Sequence, residues 1–281
     1  MKKELNGREV AGFVKERQLK AVRGLIQQHK IQPKLAIIRT NPDPVVNSYM
    51  KIKRSYGEDI GVAVDIYTIE QSEVLELIDR LNSDDTVHGI IVQIPLPDPS
   101  QNDEVLNRVA TAKDVDGLAE GTGFGAPTAV AINWLLAAYN VDLKKSNVVV
   151  VGRGRLVGGP LIQMWEDSGI SVTVVDKDTK NTAVITSEAD VLVAATGVAH
   201  LIKPGMVKPD AVIVDAGVST DSNGLVGDVD DAVRDMPLVV VTPKVGGVGP
   251  LTVTALYENV IIAARSTVDS TKLDLKVHGA I

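Results

Sequence analysis

Tyr49 and Lys53 stand four residues apart in a segment of helical pattern, so both project from one helix face, with Ile52 and Tyr56 beside them. A lysine whose ammonium is partly desolvated by such neighbours can lose its proton near neutral pH and act as a base. The plain alternative is a lysine that snorkels to water. Gln93 falls near the carboxyl end of the apolar run Gly89 to Ile94, the end of a parallel strand at which open α/β sheets place ligands. If buried, its amide needs a partner. Asp114 and Asp116 flank Val115 ahead of Gly117, a pattern that suits a turn as well as a ligand site. His88 and His200 have no second ligand at useful spacing, so no metal site is expected.

A second kind of chemistry is implied by Asn147-Val-Val-Val-Val-Gly-Arg-Gly-Arg-Leu-Val-Gly-Gly-Pro160. A buried strand that ends in glycines and opens onto a helix lets the backbone approach a pyrophosphate, whose charge then sits on the free N–H groups of the helix. The spacing Gly152-x-Gly154-x-x-x-Gly158 is one residue longer than the commonest dinucleotide fingerprint, and glycines of an ordinary αβ loop are the alternative. Asp176 lies near where an acid, about 20 residues beyond the turn, would bond the adenosine ribose of NAD. Arg153 and Lys177 suit instead the additional phosphate of NADP. The residues pull in opposite directions, and NAD and NADP both stand on the residues alone.

The elements that must position these residues alternate. Helical periodicity covers Leu5 to Lys30, Ser48 to Asp59, Ser72 to Asn82, Asp103 to Val109 and Thr128 to Tyr139. Strands are expected at Leu35 to Ile38, Val62 to Tyr67 and Gly89 to Ile94, with Thr40 to Pro44 a loop. After the strand that leads into Gly152 comes a helix at Leu161 to Asp167. Further strands follow at Val172 to Val175, Val191 to Ala195, Ala211 to Val214 and Leu238 to Val241, and a strongly apolar helix at Thr252 to Arg265. Alternation of this kind gives mainly parallel sheets and an α/β fold. Gly121-Thr-Gly-Phe-Gly125 is the best boundary between two domains, and a second, doubly wound sheet fits the strands beyond it.

With 281 residues the chain is long enough for two domains of ordinary size. Its 44% hydrophobic and 23% charged residues are a soluble globular composition, with no run long enough to cross a bilayer. The start Met-Lys-Lys-Glu-Leu-Asn-Gly has no apolar stretch behind its basic pair, so no signal peptide and a cytoplasmic location are expected. The absence of cysteine excludes disulfides, thiolate metal sites and a cysteine nucleophile. A net charge of -7 argues against general nucleic-acid binding.

Taken together and in order, the motifs resemble those of the bifunctional methylenetetrahydrofolate dehydrogenase/cyclohydrolases. Leu5-Asn-Gly7, Ser48-Tyr49-x-x-x-Lys53, His88-Gly-Ile-Ile-Val-Gln-Ile-Pro-Leu-Pro97, Lys113-Asp-Val-Asp-Gly117, Gly152-Arg153 with Val157-Gly158 and Pro160, and Thr242-Pro243 with Gly246-Gly-Val-Gly-Pro-Leu-Thr252 carry the likeness over almost the whole chain. The resemblance implies two α/β domains with an active-site cleft between them. A folate domain at 1–120 would be completed by the last helix at 252–281, and a Rossmann-like NAD(P) domain would cover 121–251. It further implies that Lys53 is the cyclohydrolase base, that Gln93 tunes it, that Tyr49 stacks on the folate and that Asp116 holds the pterin. Cofactor contacts are expected from Thr128, Gly152, Arg153, Gly154, Val157, Gly158, Lys177, Thr196, Gly197, Val218 and Thr252, and Gly246 and Gly247 would border the folate. NADP as cofactor, tetrahydrofolate derivatives as substrates and a homodimer are the partners the family implies. The chain departs from the family pattern in a short link before Thr128 and in Lys244-Val245 ahead of Gly246.

Overall fold

A computed structural model describes residues 4–40, 44–221 and 224–268. The chain forms two compact units, one from residues 12–127 and 253–268, the other from residues 4–11 and Thr128–Thr252.

In the first unit, α1 (Gly7–His29, beginning in the other unit) is followed by β1 (Lys34–Arg39), α2 (Pro44–Ile60), β2 (Ala63–Thr68), α3 (Val74–Ser83), β3 (Gly89–Val92) and α4 (Asn102–Arg108). The strands form a parallel sheet of order β2-β1-β3. Successive side chains of a strand point to opposite faces, and β1 obeys this strictly. Leu35 and Ile37 join a core built with Val22, Leu25, Met50, Ile60 and residues of the last helix, whereas Ala36 and Ile38 join one built with Val74, Leu77, Ile78, Val105 and Leu106. The central strand is thus apolar on both faces, the usual state of a parallel strand covered by helices.

The second unit holds α5 (Pro127–Ala138), β4 (Val148–Val151), α6 (Gly158–Asp167), β5 (Val172–Val175), α7 (Thr182–Ser187), β6 (Val191–Ala194), β7 (Val212–Asp215), the hairpin β8 (Ser219–Asp221) and β9 (Gly224–Val226), α8 (Asp231–Arg234) and β10 (Val240–Val241). The five-stranded parallel sheet has the order β10-β7-β6-β4-β5. The chain leaves β4 towards β5 on one side and returns to β6 on the other, so the strand order reverses beside β4. Such a reversal opens a crevice at the carboxyl ends of the two central strands, where open α/β sheets bind ligands. The final helix, α9 (Val248–Ser266), starts in this unit and contributes residues 253–268 to the first.

Several expected limits are corrected. Helix α2 begins at Pro44 instead of Ser48, because proline needs no N–H partner in a first turn; residues 41–43 of the expected loop lie outside those described. Helix α6 takes in Gly158 and α9 begins at Val248, each including glycines that read as loop in the sequence. Strand β3 stops at Val92 and not Ile94, since Pro95 and Pro97 bring no N–H to a ladder. The β8–β9 hairpin, α7 and α8 are too short to leave a periodic signal. Most of the tail 266–281 lies outside the described residues.

Candidate active site

In the first unit, three of the singled-out residues come together. Lys53 is carried by α2, and its Nζ donates to Gln93 Oε1 at 3.3 Å. Gln93 is one residue past β3, yet its backbone N–H still donates to Ile38 O at 2.8 Å, prolonging the ladder with β1. Its own Nε2 donates to Ile94 O at 3.0 Å, which leaves Oε1 facing the lysine. Asp116 arrives from the Lys113–Gly117 turn, which docks on β3 through Ile90 N donating to Lys113 O at 2.7 Å.

That turn is held from three directions. The buried Asp114 carboxylate accepts from Leu118 N and Ala119 N at 2.9 and 2.8 Å. Gly117 sits at φ +67, and a Cβ there would meet Phe124 O and Ala126 N at 2.8 Å, so glycine is required. From α9, the buried Asn259 amide donates to both Val115 O and Gly125 O at 2.9 Å. Asp114, one of two aspartates with an open reading in the sequence, is therefore the structural member of the pair, and Asp116 is left for the site.

Lys53 and Asp116 act on each other electrostatically, but burial is the larger influence on both. Desolvation lowers the Lys53 ammonium from the ordinary lysine range, opposed by the Asp116 charge; it raises the Asp116 carboxyl, opposed by Lys53. Both shifts are towards neutrality, which equips the lysine to accept a proton from water. Tyr49 lies on the same helix, four residues before Lys53, and is 41% exposed.

The second unit holds the glycine turn. Gly152 has φ +101, and its Cβ would come within 2.5 Å of Ala195 O. Gly158, in the first turn of α6, would drive a Cβ to 2.0 Å from Gly152 O. The spacing of Gly152 and Gly158 is thus a requirement of strand and helix packing on each other. Gly154 has nothing within 4 Å of its would-be Cβ, so the backbone there is bare. Val157 precedes α6 and Arg153 is exposed.

Across the strand reversal lie Thr196 and Gly197, just beyond β6. The fully buried Asp228 holds them: its Oδ2 accepts from Thr196 N at 2.6 Å, Thr196 Oγ1 at 2.8 Å and Gly197 N at 3.2 Å. Asp215 in turn accepts from Asp228 N at 2.9 Å and pairs with Arg234 at 2.6 Å. Neither aspartate is singled out by the sequence reading. Their one signal is an acid after an apolar strand, Val212-Ile-Val-Asp215, and an acid between Gly227 and Val229. Val218 is exposed, with its carbonyl next to Gly197. Thr252 Oγ1 donates to Thr128 Oγ1 at 3.5 Å.

Asp176 is engaged locally. Its Oδ1 accepts from Thr179 Oγ1 at 2.8 Å and Asp178 N at 3.1 Å, and these bonds, with the nearby Arg153 charge, hold its carboxyl below the usual range. Lys177 is exposed beside it. Gly246 and Gly247 belong to this unit as well, against the start of α1: Arg8 N donates to Gly246 O at 3.0 Å, and a Cβ on Gly7 would stand 1.9 Å from Gly247 O. Among the described residues there is no cluster of metal-ligating side chains and no helix long and apolar enough to cross a membrane.

Comparison with known proteins agrees with both halves. Residues 5–116 match the family model "Tetrahydrofolate dehydrogenase/cyclohydrolase, catalytic domain", and residues 126–268 match "Tetrahydrofolate dehydrogenase/cyclohydrolase, NAD(P)-binding domain". The bifunctional protein FolD of Exiguobacterium sibiricum is 38% identical over 93% of this chain and 99% of its own. The crystal structure of the bifunctional FolD dehydrogenase/cyclohydrolase of Campylobacter jejuni is 32% identical, with a TM-score of 0.89 over 95% of this chain and 100% of that one. The Trypanosoma brucei FolD structure, complexed with NADP cofactor and inhibitor, is 27% identical, with a TM-score of 0.88 over 96% and 99% of the two chains. With both domain models matched in order and relatives aligned along nearly their whole length, this chain belongs to the tetrahydrofolate dehydrogenase/cyclohydrolase family.

Proposed function

We propose that this protein oxidises 5,10-methylenetetrahydrofolate to the 5,10-methenyl form with NADP and hydrolyses that product to 10-formyltetrahydrofolate. The observation that carries this reading is the desolvated Lys53 bonded to Gln93 with Asp116 acting on it, in a chain that also carries the glycine turn.

The two steps ask different things of the protein. Hydride leaves a methylene held between two nitrogens whose lone pairs delocalise the resulting cation, so that step needs alignment and no protein base. Tyr49 stacks on the folate and Asp116 holds the pterin, which orients the methylene; Gly246 and Gly247 border the folate. Hydrolysis of the cation needs an activated water. Neutral Lys53 takes its proton, and the Gln93 carbonyl oxygen receives the ammonium that forms.

NADP, when bound, supplies the acceptor for the hydride. The residues fit it: the bare backbone at Gly154, beside the tight turn at Gly152, would admit a pyrophosphate, and Val157, Gly158, Thr196, Gly197, Val218, Thr128 and Thr252 would surround the dinucleotide. Arg153 and Lys177 meet the ribose phosphate, and the local bonds of Asp176 support that preference by occupying one of its oxygens. The neighbour solved with NADP supports it too. NAD is the second reading, since a carboxylate does stand at the end of β5. The folate domain is assigned to 1–120 and 252–281 and the dinucleotide domain to 121–251, in a cytoplasmic homodimer.

Initial rates of purified protein with methylenetetrahydrofolate and each nucleotide test this reading. NADP should give the higher kcat/KM, with formyl product accumulating. No turnover with either nucleotide would refute the assignment, and a higher kcat/KM with NAD would reverse the cofactor preference.

A further inference from the structure

We propose that Tyr257 is a positioning residue for the hydrolytic lysine: its phenol donates to Lys53's own carbonyl on α2 and fixes where the ammonium meets Gln93. The inference rests on the assignment of hydrolysis to Lys53.

Tyr257, on α9, is fully buried, and its hydroxyl donates to Lys53 O at 2.6 Å. In an uninterrupted helix that carbonyl accepts from the N–H four residues on, that of Gly57. The phenol brings a donor to that carbonyl from outside the helix.

The sequence of α2 is fitted to this contact. A Cβ on Gly57 would lie 2.5 Å from the Tyr257 hydroxyl oxygen and 2.6 Å from Val64 Cγ2. Glycine weakens a helix interior, and here it leaves room for the phenol. One residue earlier, the Tyr56 ring stacks on Tyr257 with centroids 5.2 Å apart and 28° between planes. The Tyr56 hydroxyl donates to Gln18 Oε1 at 2.7 Å, while the buried Gln18 amide donates to Thr254 O and Glu258 Oε2, each at 2.8 Å. The phenol is thus locked by α1, α2 and its own helix. Burial, with Tyr56 and Glu58 alongside, raises its hydroxyl above the ordinary tyrosine range, so it stays protonated and keeps donating. Two residues on, Asn259 fixes the turn that carries Asp116, so one helix holds the main chains of both charged members of the site.

Full-length Tyr257→Phe keeps the ring and removes only the bond to the Lys53 carbonyl. A small displacement of Lys53 should lower kcat for methenyl hydrolysis by about tenfold. The acid limb of that activity should move to lower pH, because an ammonium that loses the Gln93 oxygen holds its proton less tightly, with Asp116 the charged group still acting on it. The ratio of hydrolysis to dehydrogenation should fall, with little change in Tm. Gly57→Ala should impair hydrolysis through the same contact. Two results would overturn the role: an unaltered hydrolysis rate and pH profile in Tyr257→Phe, or equal losses of both activities together with Tm. A Lys53→Gln control that still hydrolyses would instead refute the assignment of Lys53.

Discussion

Lys53, Gln93 and Asp116 are separated by long stretches of sequence, and each alone has an ordinary reading as a surface, core or turn residue. What makes them legible is their order among other motifs; what makes them chemistry is burial, which the sequence does not display. Desolvation lowers the lysine and raises the aspartate, so the site holds a cation and an anion that both lean towards neutrality. The sign of a charge-removing change follows. Asp116→Asn leaves burial of Lys53 unopposed, so the lysine loses its proton at lower pH and the acid limb of hydrolysis should move down the pH scale. Loss of a charged hydrogen bond, about 1.5–3 kcal/mol, should also raise the folate KM by about tenfold or more. A pH–rate profile of the variant measures both, and a limb displaced upward would contradict the electrostatic reading. Tyr257 and Gln18 escaped the sequence reading because both appear as unremarkable members of helical patterns; their contacts join α1, α2 and α9, which are distant in sequence.

At the scale of elements, the alternation of helix and strand is readable because parallel strands buried on both faces are continuous apolar runs. Val148 to Val151 is such a run, and its fully buried place between β6 and β5 agrees with that reading. Three helix starts are read late where glycine or proline lies in the first turn, Pro44 of α2, Gly158 of α6 and Gly249-Pro250 of α9, because those residues carry loop statistics even when their backbone is helical. The long glycine spacing, awkward as a fingerprint, has a physical cause: Gly158 abuts the Gly152 carbonyl. Gly158→Ala must push α6 away from the turn. Overpacking of that kind costs about 1–3 kcal/mol, so NADP affinity, measured by titration, should fall by about tenfold or more. Wild-type affinity in that variant would mean that the close approach has no part in binding. The hold of Asp228 on Thr196 and Gly197 lies deeper than any periodicity, since it joins the end of β6 to a segment beyond the hairpin.

For the whole molecule, two α/β units are foreseeable from length, alternation and the glycine-rich link. The assignment of α9 to the first unit from residue 253 onward is not visible in local pattern, because an apolar helix does not announce its partner. The two steps also divide the chemistry: hydride transfer requires an aligned folate and a dinucleotide, whereas hydrolysis requires an aligned folate, a water and one tuned base. Lys53→Gln separates the two steps, with both activities measured on the same preparation. Hydrolysis of the methenyl substrate should fall by about 10²-fold or more, the usual contribution of a general base, while methylene oxidation with NADP stays measurable. Equal loss of the two activities would contradict the separate roles given to Lys53 and the dinucleotide turn.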